Sequence, residues 1–159
     1  MIGWRDEPIG KLVHDFKYNS TRALCEVFAE LLDDCLPIFA DNVVIVPLPT
    51  INRHVRERGF DHILLIARRL AKRRGWRVEQ ILGRNKDYVQ VGANKQTRRL
   101  QAIEAYKIVR PIDATKTYML FDDVWTTGSS MKAATKMLQR AGASKVVATV
   151  LAVNRSHKK

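Results

Sequence analysis

Only two cysteines, Cys25 and Cys35, occur in this chain of 159 residues. Neither belongs to a Cys-x-x-Cys pair or has a histidine at ligand spacing, so a structural zinc site has no ligands to draw on. On a single helix, ten residues set the two thiols about 15 Å apart along the axis and on different faces, which excludes a disulfide between them. Long apolar runs are also lacking. None approaches the ~20 residues that span a bilayer, so no membrane span is expected. The N-terminus, Met-Ile-Gly-Trp-Arg-Asp-Glu-Pro, carries acid early and has no apolar stretch of the secretory kind. A cytoplasmic location is expected. Negative charge is the third scarcity: 16 Asp and Glu stand against 28 Lys and Arg, a formal net charge of +12.

What is present is enough for a core. Hydrophobic residues make up 46% of the chain, which excludes a disordered tail, and the length fits one compact domain spanning 1–159. The charge is unevenly placed. Residues 1–52 carry 4 basic and 8 acidic side chains, residues 53–110 carry 16 and 5, and residues 111–159 carry 8 and 3. A basic middle third of this kind attracts phosphates, on small metabolites or on nucleic acid; a solvated surface is the plainer alternative.

Periodicity gives the elements. Residues 1–40 read as an N-terminal helical segment: Leu12, Val13 and Phe16 form one apolar set, and Ala23, Leu24, Val27, Phe28, Leu31 and Leu32 a second. Asn19, Ser20 and Thr21 between them offer N-cap oxygens, and Pro37 marks the end. Val43 to Val46, closed by Pro47-Leu48-Pro49, reads as a buried parallel strand. A helix with a basic outer side runs from Asp61 to Gly75. Residues 83–102 have little periodicity and are expected to form a mobile loop. Ala105–Val109 and Tyr118–Phe121 read as strands, a helix through Met131 to Leu138 ends at Ala141-Gly142, and Val146–Val153 is the last strand. Strands alternating with helices predict an α/β fold of three layers, a mostly parallel sheet with helices on both faces.

One stretch carries chemistry: Tyr118-Met119-Leu120-Phe121-Asp122-Asp123-Val124-Trp125-Thr126-Thr127-Gly128-Ser129-Ser130. A buried strand leads to two carboxylates at the C-terminal edge of the sheet, where open α/β folds bind ligands. The loop that follows opens into a helix whose first-turn N–H groups and hydroxyls can hold a phosphate, with Gly128 allowing close backbone approach. A capped helix after a strand is the bland alternative. The order of the residues resembles the phosphoribosyl diphosphate (PRPP) signature of type I phosphoribosyltransferases, departing where Trp125 replaces an aliphatic residue.

The resemblance extends along almost the whole chain. Phe16-Lys17-Tyr18, Val46-Pro47-Leu48-Pro49, Arg58-Gly59-Phe60, Gln90-Val91-Gly92, Arg98-Arg99, Ala105-Tyr106 and Ala141-Gly142-Ala143 recur in this order in the ComF family, which the chain resembles as a phosphoribosyltransferase-like domain. Members often carry an N-terminal zinc ribbon, for which this sequence has no Cys-x-x-Cys pairs. Where the family usually reads Arg-Gly-Phe-Asn-Gln, Asp61 and His62 follow Phe60 here.

The resemblance implies specific roles. Thr126, Thr127, Gly128, Ser129 and Ser130 would hold the 5′-phosphate of PRPP. Asp122 and Asp123 would be the catalytic carboxylates, accepting from the ribose hydroxyls, with Mg2+ as cofactor placed near them. Pro49, Thr50, Arg53, Arg56 and Arg58 would lie on the diphosphate side, and Lys95, Arg98 and Arg99 on a loop closing over the site. The implied activity is phosphoribosyl transfer with release of diphosphate. The family association with natural competence and DNA uptake supplies the alternative, a non-catalytic PRPP-responsive factor that binds single-stranded DNA and works with competence machinery proteins. For that reading, the surplus charge on Arg68, Arg69, Lys72, Arg73, Arg74 and Arg77 is the support, tempered by few aromatics in the middle third. A PRPP-sensing homodimeric regulator is a third and weaker reading. His54 and His62 flank the basic run as candidate general bases, though a solvated role beside arginines is expected of both. Trp125 is open between stacking on a ligand and capping the sheet edge.

Overall fold

The computed structural model describes residues 3–4, 12–13, 16, 22–39, 42–85 and 105–154. In chain order the elements are β1 (Gly3–Trp4), α1 (Leu24–Cys35), β2 (Val43–Pro47), α2 (Asn52–Arg58), α3 (His62–Arg74), β3 (Arg77–Val78), β4 (Leu82–Arg84), β5 (Tyr106–Ile108), β6 (Thr117–Trp125), α4 (Ser129–Arg140) and β7 (Lys145–Val153). Five strands form one parallel sheet in the order β1-β7-β6-β2-β3, and β4 and β5 form a separate antiparallel pair. The expected three-layer α/β architecture is therefore present.

Strand alternation sorts the core into two halves. Val43 and Ile45 of β2 and Met119 and Phe121 of β6 face α1 and α3, which contribute Phe28, Leu32, Ile63, Ile66 and Leu70. Val44, Val46, Tyr118 and Leu120 face the other way, toward α4 and the β4–β5 pair, meeting Met131, Ala134, Leu138 and Tyr106. All five residues of β2 are buried, as the uninterrupted apolar run requires of a strand covered on both faces. Among the described residues, no helix is long and apolar enough to cross a membrane.

Local chemistry explains the helix ends. Asp61 caps α3, its Oδ1 accepting from the Leu64 N–H at 3.1 Å, and Gly75 closes it in the left-handed region with φ of 68°. The capping oxygens expected before α1 do not serve it: that helix starts at Leu24 behind Ala23, with no side-chain cap. Four elements were not legible in the sequence. The basic run 52–58 is a helix, residues 83 and 84, read as the start of a loop, belong to β4, Arg77–Val78 is a short strand, and Gly3–Trp4, read as part of a helical segment over 1–40, is a strand paired with β7. The β4–β5 ladder ends in a bond from the Asn85 N–H to the Ala105 carbonyl at 3.1 Å. Lys95, Arg98 and Arg99, together with most of the expected mobile loop, lie outside the described residues.

Part of the basic outer side of α3 meets acid, while Arg68 and Lys72 are exposed. Arg69 and Arg73 pair with Glu26, Arg73 also with Glu30 at 3.5 Å, and Arg74 with Asp33, all three acids on α1. Arg74 further donates to the carbonyls of Asp33, Leu36 (3.1 Å) and Pro37 (3.2 Å), closing the C-terminal end of α1. The acidic N-terminal third and half of the surplus arginine charge thus neutralise each other. This corrects the reading of Arg69, Arg73 and Arg74 as cations available to a polyanion.

Candidate active site

The C-terminal edges of β2 and β6 lie side by side, with Pro47 in register with Phe121. One residue further along β6, alternation separates the two acids. Asp122 turns toward the α4 side and Asp123 toward α3. Both border a cleft of about 300 Å³ whose other walls are Leu48 to Ile51, His54, Arg58, His62, Arg84, Tyr106 and Ser130. Asp122 and Ser130 also border the smaller concavity of the Thr126–Ser130 loop, so cleft and loop meet at these two residues.

On the loop side, Gly128 is the N-cap of α4 with φ of 72°, and no acidic residue occupies the first turn. The first turn of that helix therefore offers no carboxylate of its own to the positive end, and Asp122 borders the same concavity. The Thr127 and Ser129 hydroxyls lie 2.8 Å apart, and the Ser129 N–H donates to Thr127 Oγ1 at 3.3 Å. Thr126, Thr127, Ser129 and Ser130 are exposed, whereas Gly128 is buried. The Trp125 indole covers it: a Cβ built on Gly128 would collide with the ring. Trp125 also packs against the apolar core on this face. Of the two roles left open for Trp125, it fills that of a cap, clamping the loop.

Asp123 is 8% exposed and is met from the opposite side by His62. His62 Nε2 lies 2.8 Å from Asp123 Oδ2, and His62 Nδ1 lies 2.8 Å from Arg58 Nη1. A guanidinium has only donors, so Nδ1 accepts and Nε2 carries the proton given to Asp123. The ring is 3% exposed and sits edge-on to Phe16, centroids 5.5 Å apart. The solvated role expected for His62 is thus incorrect: it is a buried bridge between an arginine and a carboxylate. One sequence signal was available, because His62 stands one and two helical turns before Ile66 and Leu70, on the face that α3 buries.

Across the cleft, Arg84 donates to the Pro49 carbonyl at 2.9 Å and lies over the Tyr106 ring at 5.7 Å. Burial pushes the Tyr106 phenol above its ordinary range, opposed by Arg84 and by a hydrogen bond with Ser130. Arg84 was not singled out from sequence, and Tyr106 only as part of the Ala105-Tyr106 motif, with no role at the site. Arg84 sits in an aperiodic polar segment that gives no signal, while Tyr106 follows the alternation of a strand.

The residues expected on the diphosphate side divide. Pro49, Thr50 and Arg58 line the cleft, Thr50 donating its hydroxyl to the capping Asp61 at 3.1 Å. Arg53 does not line it. Its side chain is 76% exposed and pairs with Glu57 at 2.8 Å. Arg56 is exposed on α2 and is likewise not among the lining residues. His54 lines the rim, with Nδ1 3.3 Å from Glu57.

No protein-family model matches the chain, and no curated protein matches it. Solved structures do. An allosteric regulatory enzyme of purine biosynthesis superposes with a TM-score of 0.61 at 18% identity. Glutamine PRPP amidotransferase from B. subtilis, complexed with ADP and GMP, superposes with a TM-score of 0.61 at 17% identity. Each alignment covers 87% of this chain and 30% of the other, so the chain spans less than a third of those proteins' length. A hypoxanthine phosphoribosyltransferase from Staphylococcus aureus gives a TM-score of 0.48 at 12% identity, over 89% of this chain and 66% of that one. The chain shares the α/β fold of the matching part of the first two enzymes.

Proposed function

We propose that the chain binds PRPP and transfers its phosphoribosyl group to a nitrogen acceptor, releasing diphosphate. The observation that carries this reading is the meeting of two differently built surfaces at Asp122 and Ser130. On one side lies a hydroxyl-rich loop at the start of α4, and on the other a cleft walled by Arg58 and Arg84. A ligand with phosphate at one end, a diol in the middle and diphosphate at the other matches that sequence of chemistries. The ComF-like order of motifs supports the same ligand.

In this reading, Thr126 to Ser130 hold the 5′-phosphate through hydroxyls and the helix N-terminus. Asp122 and Asp123 accept from the ribose hydroxyls, and Arg58 and Arg84 face the diphosphate, guanidinium forks being suited to phosphate oxygens. The bond from the anomeric carbon to diphosphate oxygen breaks, and the oxygen keeps the electron pair. A bond from the acceptor nitrogen forms, and the proton which that nitrogen loses passes to the released diphosphate or to water. Carboxylate beside the ribose stabilises positive charge as it develops on the sugar, and arginine stabilises the departing anion.

Mg2+ fits the donors present. Among the described residues no group of three His, Cys, Asp or Glu side chains can hold a metal, but two adjacent carboxylates border the cleft. Mg2+ keeps several waters and takes oxygen ligands from phosphates, so Asp122 and Asp123 suffice on the protein side. When bound, it offsets charge on the diphosphate. A single-stranded DNA role forms no part of this proposal, because half of the arginine surplus that supported it is paired with α1.

Calorimetry with PRPP and Mg2+, followed by diphosphate release across purine, pyrimidine and pyridine acceptors, tests the reading. Binding and release are expected, and both are lost when Asp122→Asn and Asp123→Asn are combined. Absence of PRPP binding by the wild-type chain overturns it.

A further inference from the structure

A second concavity, of about 370 Å³, runs along α4 from Thr127 and Ser129 at the loop to Gln139, and shares no lining residue with the cleft. Its floor is Trp125, Met131 and Ala148, and its rim carries Lys132, Lys136 and Gln139. The floor exists because α4 leaves part of the sheet uncovered. Val146, Ala148 and Val150 alternate onto the face of β7 that α4 shares. Val150 is 5% exposed, whereas Ala148 between them is exposed. In a three-layer fold that position ordinarily lies under a helix.

The charge around this groove has one sign. From Val124 to Lys159 the sequence holds seven Lys and Arg and no Asp or Glu. Lys132, Lys136 and Arg140 recur every fourth residue on the exposed side of α4, a ridge with about 6 Å between successive cations. Among the described residues, no ion pair involves Lys132, Lys136, Arg140 or Lys145. On α3, by contrast, the corresponding arginines are matched by the acids of α1.

We propose that this groove docks an amphipathic helix of a partner protein, with aliphatic side chains against Trp125, Met131 and Ala148 and acidic residues along the flank facing Lys132 and Lys136. Glutamates four residues apart on such a helix repeat with the same rise as the lysines, so pairs form on successive turns. Charge complementarity selects the occupant. Among the described residues, the acidic helix of a second copy, α1, is already engaged with α3. A nucleic acid strand would meet the lysines, but the floor is apolar and offers one indole, already packed on Gly128, in place of a series of stacking platforms. The groove reuses helix-in-groove recognition, in which apolar anchors supply affinity and flanking charge sets the partner.

The test is an NMR titration of the isotope-labelled full chain with a helix-forming peptide bearing leucines on one face and glutamates along its flank. A peptide with lysine in place of glutamate and an oligothymidylate are titrated in parallel. Shifts of the Lys132, Lys136, Gln139 and Ala148 amides are expected with the acidic peptide alone. Lys132→Glu combined with Lys136→Glu should weaken its binding about tenfold or more, as should Ala148→Trp, which fills the groove. Unchanged thermal melting of the double-lysine variant, whose side chains are exposed, shows that any loss is not misfolding. Equal binding of the lysine peptide, or shifts centred on another surface, overturns the proposal. So does an oligothymidylate that moves the same amides more strongly, which assigns the ridge to nucleic acid. PRPP binding by calorimetry is a separate readout, so failure at this groove and failure of the proposed activity are distinguishable.

Discussion

His62 donates a hydrogen bond to Asp123 across 2.8 Å while its other ring nitrogen accepts one from Arg58 across the same distance. A residue on the diphosphate side and a carboxylate on the ribose side are thereby tied through one buried ring. Glutamine offers both a donor and an acceptor, so His62→Gln should keep PRPP affinity within about threefold, whereas His62→Leu should weaken it about tenfold and lower stability by about 1–3 kcal/mol, the usual cost of leaving buried polar groups without a partner. Calorimetry and urea unfolding of both variants provide the check. Equal behaviour of the two would reduce His62 to a packing residue.

Gly128 combines a positive φ with a tryptophan ring at its Cα. Gly128→Ala should cost about 1–2 kcal/mol from the left-handed backbone and a further ~1–3 kcal/mol from overpacking, and PRPP affinity should fall with it. Adding Trp125→Ala relieves the collision but leaves the backbone strain, so stability should recover only in part. Denaturant unfolding of the single and double variants distinguishes the two contributions.

Arg84 lines the cleft and Arg53 does not. Arg84→Ala should therefore weaken PRPP binding about tenfold, in the range of a lost charged hydrogen bond, and Arg53→Ala by less than about twofold, as for an exposed ion pair. A titration series on both variants decides whether helix α2 turns its first arginine away from the ligand in solution.

Arg74 serves four acceptors at the end of α1: the Asp33 carboxylate and three carbonyls. A lysine keeps the charge but loses the planar fork. Arg74→Lys should lower stability by about 1 kcal/mol or more, and high salt should not erase the difference, since it comes from hydrogen-bond geometry more than from screened charge. Thermal unfolding at low and high ionic strength checks both statements.

Burial pushes the Cys25 thiol up to about 11 from its ordinary 9.0, although Arg69 and Arg22 pull the other way. The folded chain then keeps a proton that the unfolded chain has released, so stability should fall as pH rises through the interval between these values and be unaffected by this group below it. Cys25→Ala should remove that part of the alkaline sensitivity. In the folded protein a thiol reagent should modify Cys35, which is exposed, and leave Cys25 untouched.

The sequence makes the architecture legible because its strong signals are local. The all-apolar run at Val43 and the Asp122 to Ser130 stretch each announce an element and its edge. Relations between elements were harder to read. Nothing within α3 says that Arg69, Arg73 and Arg74 face an acidic helix forty residues earlier, so their charge looked available. His62 appeared solvated because it was grouped with the basic run ending at Arg58, although the i+4 spacing to Ile66 placed it on the buried face. Arg84 carries no local signature, and its position depends on a strand pairing with Tyr106. Helix α2 lacks a buried residue altogether, so it has no apolar periodicity to find.

The hydrogen bond between Asn85 and Ala105 closes the β4–β5 ladder at the point where residues 86–104 leave and rejoin it. Asn85 and Ala105 are therefore held one rung beyond the Arg84–Tyr106 pair. The two cleft-wall residues owe their alignment to backbone pairing between strands more than twenty residues apart in the chain, so Lys107→Pro, which would remove a ladder donor, should displace Arg84 without touching its side chain.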